Sequence, residues 1–120
     1  MKILIAEDDP LLCKAYQKMF SSALGLPENV FLAKNGKEAI DLIEKENPQL
    51  ILLDLMMPEI DGFGVLENLN KSGKIDGITV FVLTNLSNDS DREKAMKLGA
   101  TDYIIKSNVT TKMIKNLLPT

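Results

Sequence analysis

Histidine and tryptophan are both absent from this chain of 120 residues, and Cys13 is its single cysteine. One cysteine excludes an internal disulfide, which fits a reducing cytoplasm. A nucleophilic cysteine usually needs an activating base. We therefore interpret Cys13 as a small residue of a helix rather than as a catalytic thiol.

Long apolar runs are also missing. None approaches the roughly 20 residues of a membrane helix, and the apolar N-terminal stretch is too short for a signal peptide. The net charge of −3 argues against direct binding of nucleic acid, because DNA-binding domains usually carry a basic face. No glycine-rich phosphate loop follows a predicted strand, which argues against a nucleotide-binding domain. We expect one cytoplasmic domain over residues 1–120, without a membrane segment.

Short apolar segments of strand length alternate with segments of helical period. Most of the strand candidates are rich in Ile, Val and Leu throughout, as expected of strands that are buried on both faces. They cover residues 2–6, 30–33, 50–53, 79–83 and 102–105. The first helix is predicted to begin at Pro10 after an Asp9 N-cap, and Gly25 and Pro27 end it. Its apolar face would carry Leu12, Ala15, Met19 and Ala23, and further helices cover 37–46, 63–71, 90–98 and 109–118.

This alternation predicts an α/β fold with a doubly wound, five-stranded parallel sheet and five helices. The sequence alone does not give the strand order, for which the flavodoxin-like order 2-1-3-4-5 is the commonest candidate at this size. In such sheets ligands bind at the carboxyl ends of the strands. The residues that follow each strand are therefore the candidates for chemistry.

Acids, a hydroxyl and a lysine follow four of the predicted strands. Glu7 and Asp8 follow the first strand, Asp54 the third, Thr84 the fourth and Lys106 the fifth. Clustered carboxylates repel one another, and oxygen ligands without histidine or cysteine favour a hard ion such as Mg²⁺. A carboxylate beside Mg²⁺ and an ammonium group is suited to attack phosphorus.

Several fragments also match a known family in order and separation. The fragments are ILIAEDD from residue 3, ILLDLMMP from 51, DG at 61, LT at 83, GA at 99 and DYIIK from 102. Together they resemble the response-regulator receiver domain of two-component signalling, and the resemblance covers essentially the whole chain. It implies a phosphorylation-dependent switch rather than an enzyme, although such a domain assists its own phosphorylation and dephosphorylation.

Carried onto this sequence, the resemblance makes Asp54 the phosphoacceptor and a ligand of Mg²⁺. Asp8 would bind the metal directly, Glu7 would bind it through water, and the backbone carbonyl of Met56 would be a further ligand. The phosphoryl donor would be a histidine kinase or a histidine phosphotransfer protein acting in trans, because this chain has no histidine.

The remaining family positions would respond to the phosphoryl group. Lys106 would pair with it, Thr84 would bond one of its oxygens, and Tyr103 would change rotamer. The surface around the last two helices would then change and control a downstream partner or an output domain outside this chain. Oligomerisation on phosphorylation is also possible. Whether the domain acts alone or is a fragment of a longer regulator stays open.

Two positions depart from the family pattern. Ser107 stands where proline is usual, and Asn85 is bulkier than the small residue usual there. They leave open an interaction module with this fold that no longer accepts phosphate. A phosphatase of the haloacid-dehalogenase type is a weaker alternative, because Met56 replaces the second aspartate that its chemistry needs. Plain structural roles also stay open: a solvated side chain for Lys106, a strand residue for Thr84 and packing for Tyr103.

Overall fold

The predicted strands form one parallel sheet. The computed structural model describes residues 1–24, 29–85 and 89–117. Its strands are β1 (Ile3–Ala6), β2 (Val30–Ala33), β3 (Leu50–Asp54), β4 (Thr79–Thr84) and β5 (Asp102–Ile105). They are ordered β2-β1-β3-β4-β5 and every neighbouring pair is parallel. The flavodoxin-like order is therefore confirmed.

In the described ranges, five α-helices connect or follow the strands. They are α1 (Pro10–Leu24), α2 (Gly36–Glu46), α3 (Gly62–Ser72), α4 (Asp89–Lys97) and α5 (Thr111–Leu117). Short 3-10 turns at Lys74–Gly77 and Lys106–Asn108 precede β4 and α5. The predicted stop of the first helix at Gly25 and Pro27, and the end of the last helix at Leu118, lie outside the described residues. Within the ranges that the structure describes, no helix has the length and apolarity needed to cross a bilayer.

Alternate strand residues pack on opposite faces of the sheet, so there are two cores. In β1, Leu4 packs toward α2, α3 and α4, whereas Ile3 and Ile5 pack toward α1 and α5. β1 and β3 are buried along their whole length. Because helices cover both faces, the central strands need no polar residue until the point where each ends. This places the first available polar side chains at the carboxyl edge.

The face that α1 buries is offset from the apolar face predicted for it. Cys13, Tyr16 and Phe20 are the buried residues, whereas Leu12 and Met19 are partly buried at the margin of the same core. Apolar residues occur on two adjacent stripes of this helix, and the stripe that faces the sheet is the one that is buried. The side chain of Ala23 is outside the described part of the chain.

Helix ends follow the local sequence. Asp9 caps α1, since its Oδ1 accepts from the backbone N–H groups of Leu11 at 2.9 Å and Leu12 at 3.4 Å. Asn47 ends α2 in the left-handed conformation, with φ 49°. The predicted cap of α1 and the predicted end of α2 are both confirmed.

Candidate functional site

Two buried acids lie side by side at the carboxyl ends of β1 and β3. Glu7 follows β1 directly and is 1% exposed, and Asp54 ends β3 and is 2% exposed. The parallel pairing of Ala6 with Leu53 brings the next residue of each strand into adjacent positions. Asp8 is exposed beside them, and one carboxylate oxygen from each of the three acids lies within 4.8 Å of the others. The three acids converge as the sequence predicts.

Lys106 joins the two buried acids. Its Nζ donates a hydrogen bond of 2.7 Å to Oε1 of Glu7 and lies 3.1 Å from Oδ2 of Asp54. The lysine side chain is only 10% exposed, so the ammonium group is largely removed from water. The peptide bond from Lys106 to Ser107 is trans, and the 3-10 turn that begins at Lys106 continues the chain. Serine at position 107 is thus compatible with a lysine that reaches both acids.

Burial changes the proton affinities of the buried ion pairs. It raises the pKa of Glu7 to about 8, and the neighbouring Asp54 adds to the rise, while Lys106 opposes it. Burial alone would lower the pKa of Lys106, but its contacts with the two carboxylates outweigh that effect and raise it. In the site without a metal, Glu7 therefore holds its proton more tightly than an exposed glutamate does.

The donor atoms fit a hard divalent cation. All three acids offer oxygen, and Oε2 of Glu7 is buried without a hydrogen-bond partner among the described residues. Oδ2 of Asp54 has the lysine nearby but no aligned hydrogen bond. Unsatisfied buried carboxylate oxygens are costly, and a cation such as Mg²⁺ would satisfy them.

The loop between β3 and α3, residues 55–61, contacts the acid site through its backbone. The backbone N–H of Met56 donates to Oδ1 of Asp54 at 3.2 Å, and the Met56 side chain is 78% exposed. Ile60 N–H bonds the carbonyl of Pro58 at 2.9 Å around Glu59, whose φ is 67°. This tight three-residue turn is a strained conformation for a residue other than glycine. The carbonyl of Met56 as a metal ligand stays a prediction.

Thr84 and Tyr103 lie on the two strands at the far side of Asp54. Thr84 ends β4, pairs in register with Ile105 and is partly buried. Tyr103 is partly buried against the core formed with α2, α3 and α4. Its hydroxyl is buried and has no hydrogen-bond partner within the described ranges. Asn85 is exposed where β4 ends.

Sequence reasoning missed two residues near the site. Tyr16 is 2% exposed in α1, and its burial, followed by the charge of Glu7, raises its pKa to about 12. Gly36 begins α2 and touches the loop that follows β3. Neither residue directly follows a predicted strand, so the rule that located the acids gave no signal for them.

Comparisons with known proteins agree with this geometry. A family model described as the response regulator receiver domain matches residues 3–118. A probable transcriptional regulator, ycf27, from Porphyridium aerugineum is 37% identical over 105 residues, which cover 88% of this chain and 41% of that protein. An uncharacterized 14.6 kDa protein from Leptolyngbya boryana is 33% identical and matched over 79% of its length. This chain spans about two fifths of the ycf27 relatives.

Solved structures give the same result. The signal receiver domain of the DNA-binding response regulator merR from Colwellia psychrerythraea has a TM-score of 0.85 at 27% identity. The match covers 98% of this chain and 97% of that one. The BeF3-activated receiver domain of RstA from Klebsiella pneumoniae has a TM-score of 0.76 at 30% identity, covering 98% and 95%.

Proposed function

The chain belongs to the response regulator receiver domain family, and on that premise we propose that it is a signalling switch that accepts a phosphoryl group on Asp54. The observation that carries the proposal is the double contact of Lys106 with Glu7 and Asp54, at 2.7 and 3.1 Å. A structural salt bridge needs only one acid. Two buried acids with unsatisfied oxygens, held by one lysine, suit a site that binds a cation and a transferring phosphoryl group.

Glu7, Asp8 and Asp54 would hold Mg²⁺, with the carbonyl of Met56 as a further ligand and water between the metal and Glu7. When bound, the metal would neutralise charge on the phosphoryl oxygens and bring them close to Asp54. The all-oxygen donor set, with ligand atoms within 4.8 Å of one another, supports this assignment.

Transfer would start from a phosphohistidine of a histidine kinase or phosphotransfer protein. A carboxylate oxygen of Asp54 attacks phosphorus, the P–O bond forms as the P–N bond breaks, and the imidazole leaves and is reprotonated. Lys106 stays beside Asp54 and pairs with the incoming phosphoryl oxygens, so charge is stabilised without a large rearrangement. Receiver domains are signalling domains. The reaction that this proposal gives the chain is its own phosphorylation and dephosphorylation.

The added charge would then act through Thr84 and Tyr103. Thr84 would bond a phosphoryl oxygen, and Tyr103, whose hydroxyl has no partner in the described part of the chain, would adopt a second rotamer. The surface around α4 and α5 would change, and a partner or an output domain would read it. Two states that differ by a few kcal/mol suffice for one new set of contacts to shift the population. Relatives named as probable transcriptional regulators support an output in gene control. We place the switch in the cytoplasm, where a histidine kinase would reach it.

Replacement of the acceptor tests the proposal. Asp54→Asn should abolish labelling by acetyl phosphate with Mg²⁺, followed by intact mass, because an amide oxygen is a poor nucleophile. Asp76→Asn is the matched control, since Asp76 is exposed in the turn that precedes β4, away from the carboxyl edge. Undiminished labelling of Asp54→Asn would refute the assignment.

A second measurement separates the switch from an interaction module that takes no phosphate. Beryllofluoride mimics an acyl phosphate on a carboxylate and needs the same cation. The switch should bind it only with Mg²⁺ present, with chemical-shift changes at Thr84 and Tyr103. Failure of the unmodified chain both to label and to bind beryllofluoride would favour the interaction module.

A further inference from the structure

The first residue of α2 lies directly against the loop that follows β3. A Cβ atom added to Gly36 would overlap the carbonyl oxygen of Ile60. It would also lie 2.6 Å from the carbonyl carbon and 2.7 Å from Cβ of that isoleucine. Real Cβ atoms do not approach backbone atoms this closely, so any side chain at position 36 must displace one of the two segments.

The α2 side of this contact is firmly held. Oδ1 of Asn35 accepts from Glu38 N–H at 2.8 Å, and Oε1 of Glu38 accepts from Lys34 N–H at 3.1 Å, which closes the helix start in both directions. The preceding strand is tied to the acid site, because Glu7 N–H bonds the carbonyl of Ala33 at 3.0 Å. The position of Gly36 is thus fixed relative to Glu7.

The loop after β3 is the segment that a side chain at position 36 would displace. Ile60 closes the strained turn around Glu59, whose φ is 67°, so this segment already has an unfavourable conformation. The same loop contains Met56, whose N–H bonds Oδ1 of Asp54 at 3.2 Å. A shift of the Ile60 carbonyl away from α2 would therefore be transmitted along the loop to the backbone that orients the acceptor carboxylate.

We propose that Gly36 is a positioning residue: its missing side chain lets α2 support the loop after β3 and so sets Met56 and Asp54 for metal binding and phosphoryl transfer. This role rests on the proposed function. A series of contacts leads from Glu7 through β2 and the capped start of α2 to Ile60, and from there along the loop to Asp54. The same series of contacts therefore positions both buried acids.

Gly36→Ala tests the role. A displacement on the scale of 1 Å at a reacting group can cost about a hundredfold in rate, so we expect labelling by acetyl phosphate to fall at least about tenfold. The affinity for Mg²⁺ alone, measured by titration calorimetry, should fall by a similar factor. Gly77→Ala is the matched control, because its Cβ would meet nothing within 4 Å. It should retain both values.

A second variant adds a side chain on α3 that faces the same loop. A Cβ on Gly64 would lie 2.5 Å from Cγ2 of Ile60, which is a side-chain atom rather than backbone. Gly64→Ala should weaken Mg²⁺ binding less than Gly36→Ala, and adding Ile60→Ala should restore it. The same Ile60→Ala change should not rescue Gly36→Ala, where the overlap is with backbone. If Gly36→Ala does not fold, the Gly64→Ala pair still tests the step on which the inference depends, which is that a displaced Ile60 weakens Mg²⁺ binding.

The outcomes separate the two proposals. Loss of folding stability in Gly36→Ala with unchanged Mg²⁺ affinity and labelling of the folded protein would reduce Gly36 to a packing role and overturn the inference alone. Failure to restore Mg²⁺ binding in Gly64→Ala by Ile60→Ala would also count against it. If the unmodified chain binds Mg²⁺ but does not label, the phosphoacceptor proposal fails, and the Mg²⁺ titrations still test Gly36.

Discussion

The two sides of Asp54 are built differently. Toward β1 and α2, the site consists of buried charge and tightly fitted backbone: Glu7 is 1% exposed and Gly36 leaves no room for a side chain. Toward α4 the packing is thin. Within α4, all of whose residues are described, Ala95 alone is buried. Its other side chains are exposed, except Asp91, which is partly buried.

Two contacts of α4 and the residue that follows it are exposed and individually weak. Nζ of Lys94 lies 4.3 Å from the centre of the Phe63 ring, and Nδ2 of Asn70 donates to the carbonyl of Leu98 at 2.9 Å. An exposed cation–π contact contributes about 0.5–1 kcal/mol. The two sides of Asp54 therefore differ in how firmly their elements are packed. We expect the α2 side to keep the charges in place before any ligand arrives, and α4 to be displaced for less free energy than α2.

Removal of the buried cation should have the largest effect on stability at any single pH. Lys106→Met leaves Glu7 and Asp54 buried without a counter-ion, which should lower the free energy of unfolding by about 3 kcal/mol. Urea unfolding with EDTA measures the change. The matched control is Lys34→Met, because the Lys34 side chain is 77% exposed and its Nζ lies 4.0 Å from Glu38. That exposed pair should contribute less than about 0.5 kcal/mol.

Urea unfolding with Mg²⁺ in place of EDTA extends the same measurement. A divalent cation supplies the charge that the lysine removal takes away, so it should stabilise Lys106→Met more than the unmodified chain. Equal losses for the two lysine variants would mean that the buried ion pairs do not hold this side of the site together.

The second effect is a pH dependence that comes from Glu7. Its pKa is near 4.5 when unfolded and is raised to about 8 by burial and by Asp54. The folded state therefore keeps a proton that the unfolded state releases between these values. Its contribution is fully present below pH 4.5 and is lost as pH rises to about 8, by at most about 1.4 kcal/mol per pH unit.

Urea unfolding with EDTA between pH 5.5 and 8.5 measures this slope. Glu7→Gln is the comparison, since the amide cannot ionise, and its curve should be flatter than that of the unmodified chain. Saturating Mg²⁺ should flatten the slope as well, because the metal binds the ionised carboxylate. Parallel curves for the two proteins would show that Glu7 does not titrate in this range.

Much of the buried-charge side could be predicted from the sequence, because strand ends are local signals. Apolar runs that stop at Glu7, Asp54 and Lys106 are visible in one chain, and the carboxyl-end rule brings them together. Gly36 could not be recognised in this way. Its role depends on the approach of Ile60, which follows a different strand, and no periodicity records a contact between the start of a helix and a distant loop.

The α1 face shows a second limit. Cys13, Tyr16 and Phe20 have helical spacing, and so do Leu12, Ala15 and Met19. Both stripes are apolar, and only the position of the sheet and of α5 decides which is buried. Propensity and pattern establish that the helix exists, whereas its rotation about its own axis is set by tertiary packing.

The smallest expected effect tests the other side of the comparison. Lys94→Met removes the charge above the Phe63 ring and keeps most of the aliphatic length, so global stability should fall by no more than about 1 kcal/mol. The loss should be local: amide hydrogen exchange should accelerate about twofold to fivefold in α4 and stay unchanged in β1 and β3, as for a sub-global opening. Lys97→Met, one turn further along the same exposed face and without a ring contact among the described residues, is the control.

Faster exchange in β1 would mean that α4 and the buried acids open together, and the two sides of Asp54 would then be one cooperative unit. Exchange confined to α4 would instead identify it as the element that a phosphoryl group can move without disturbing the charges that bind it.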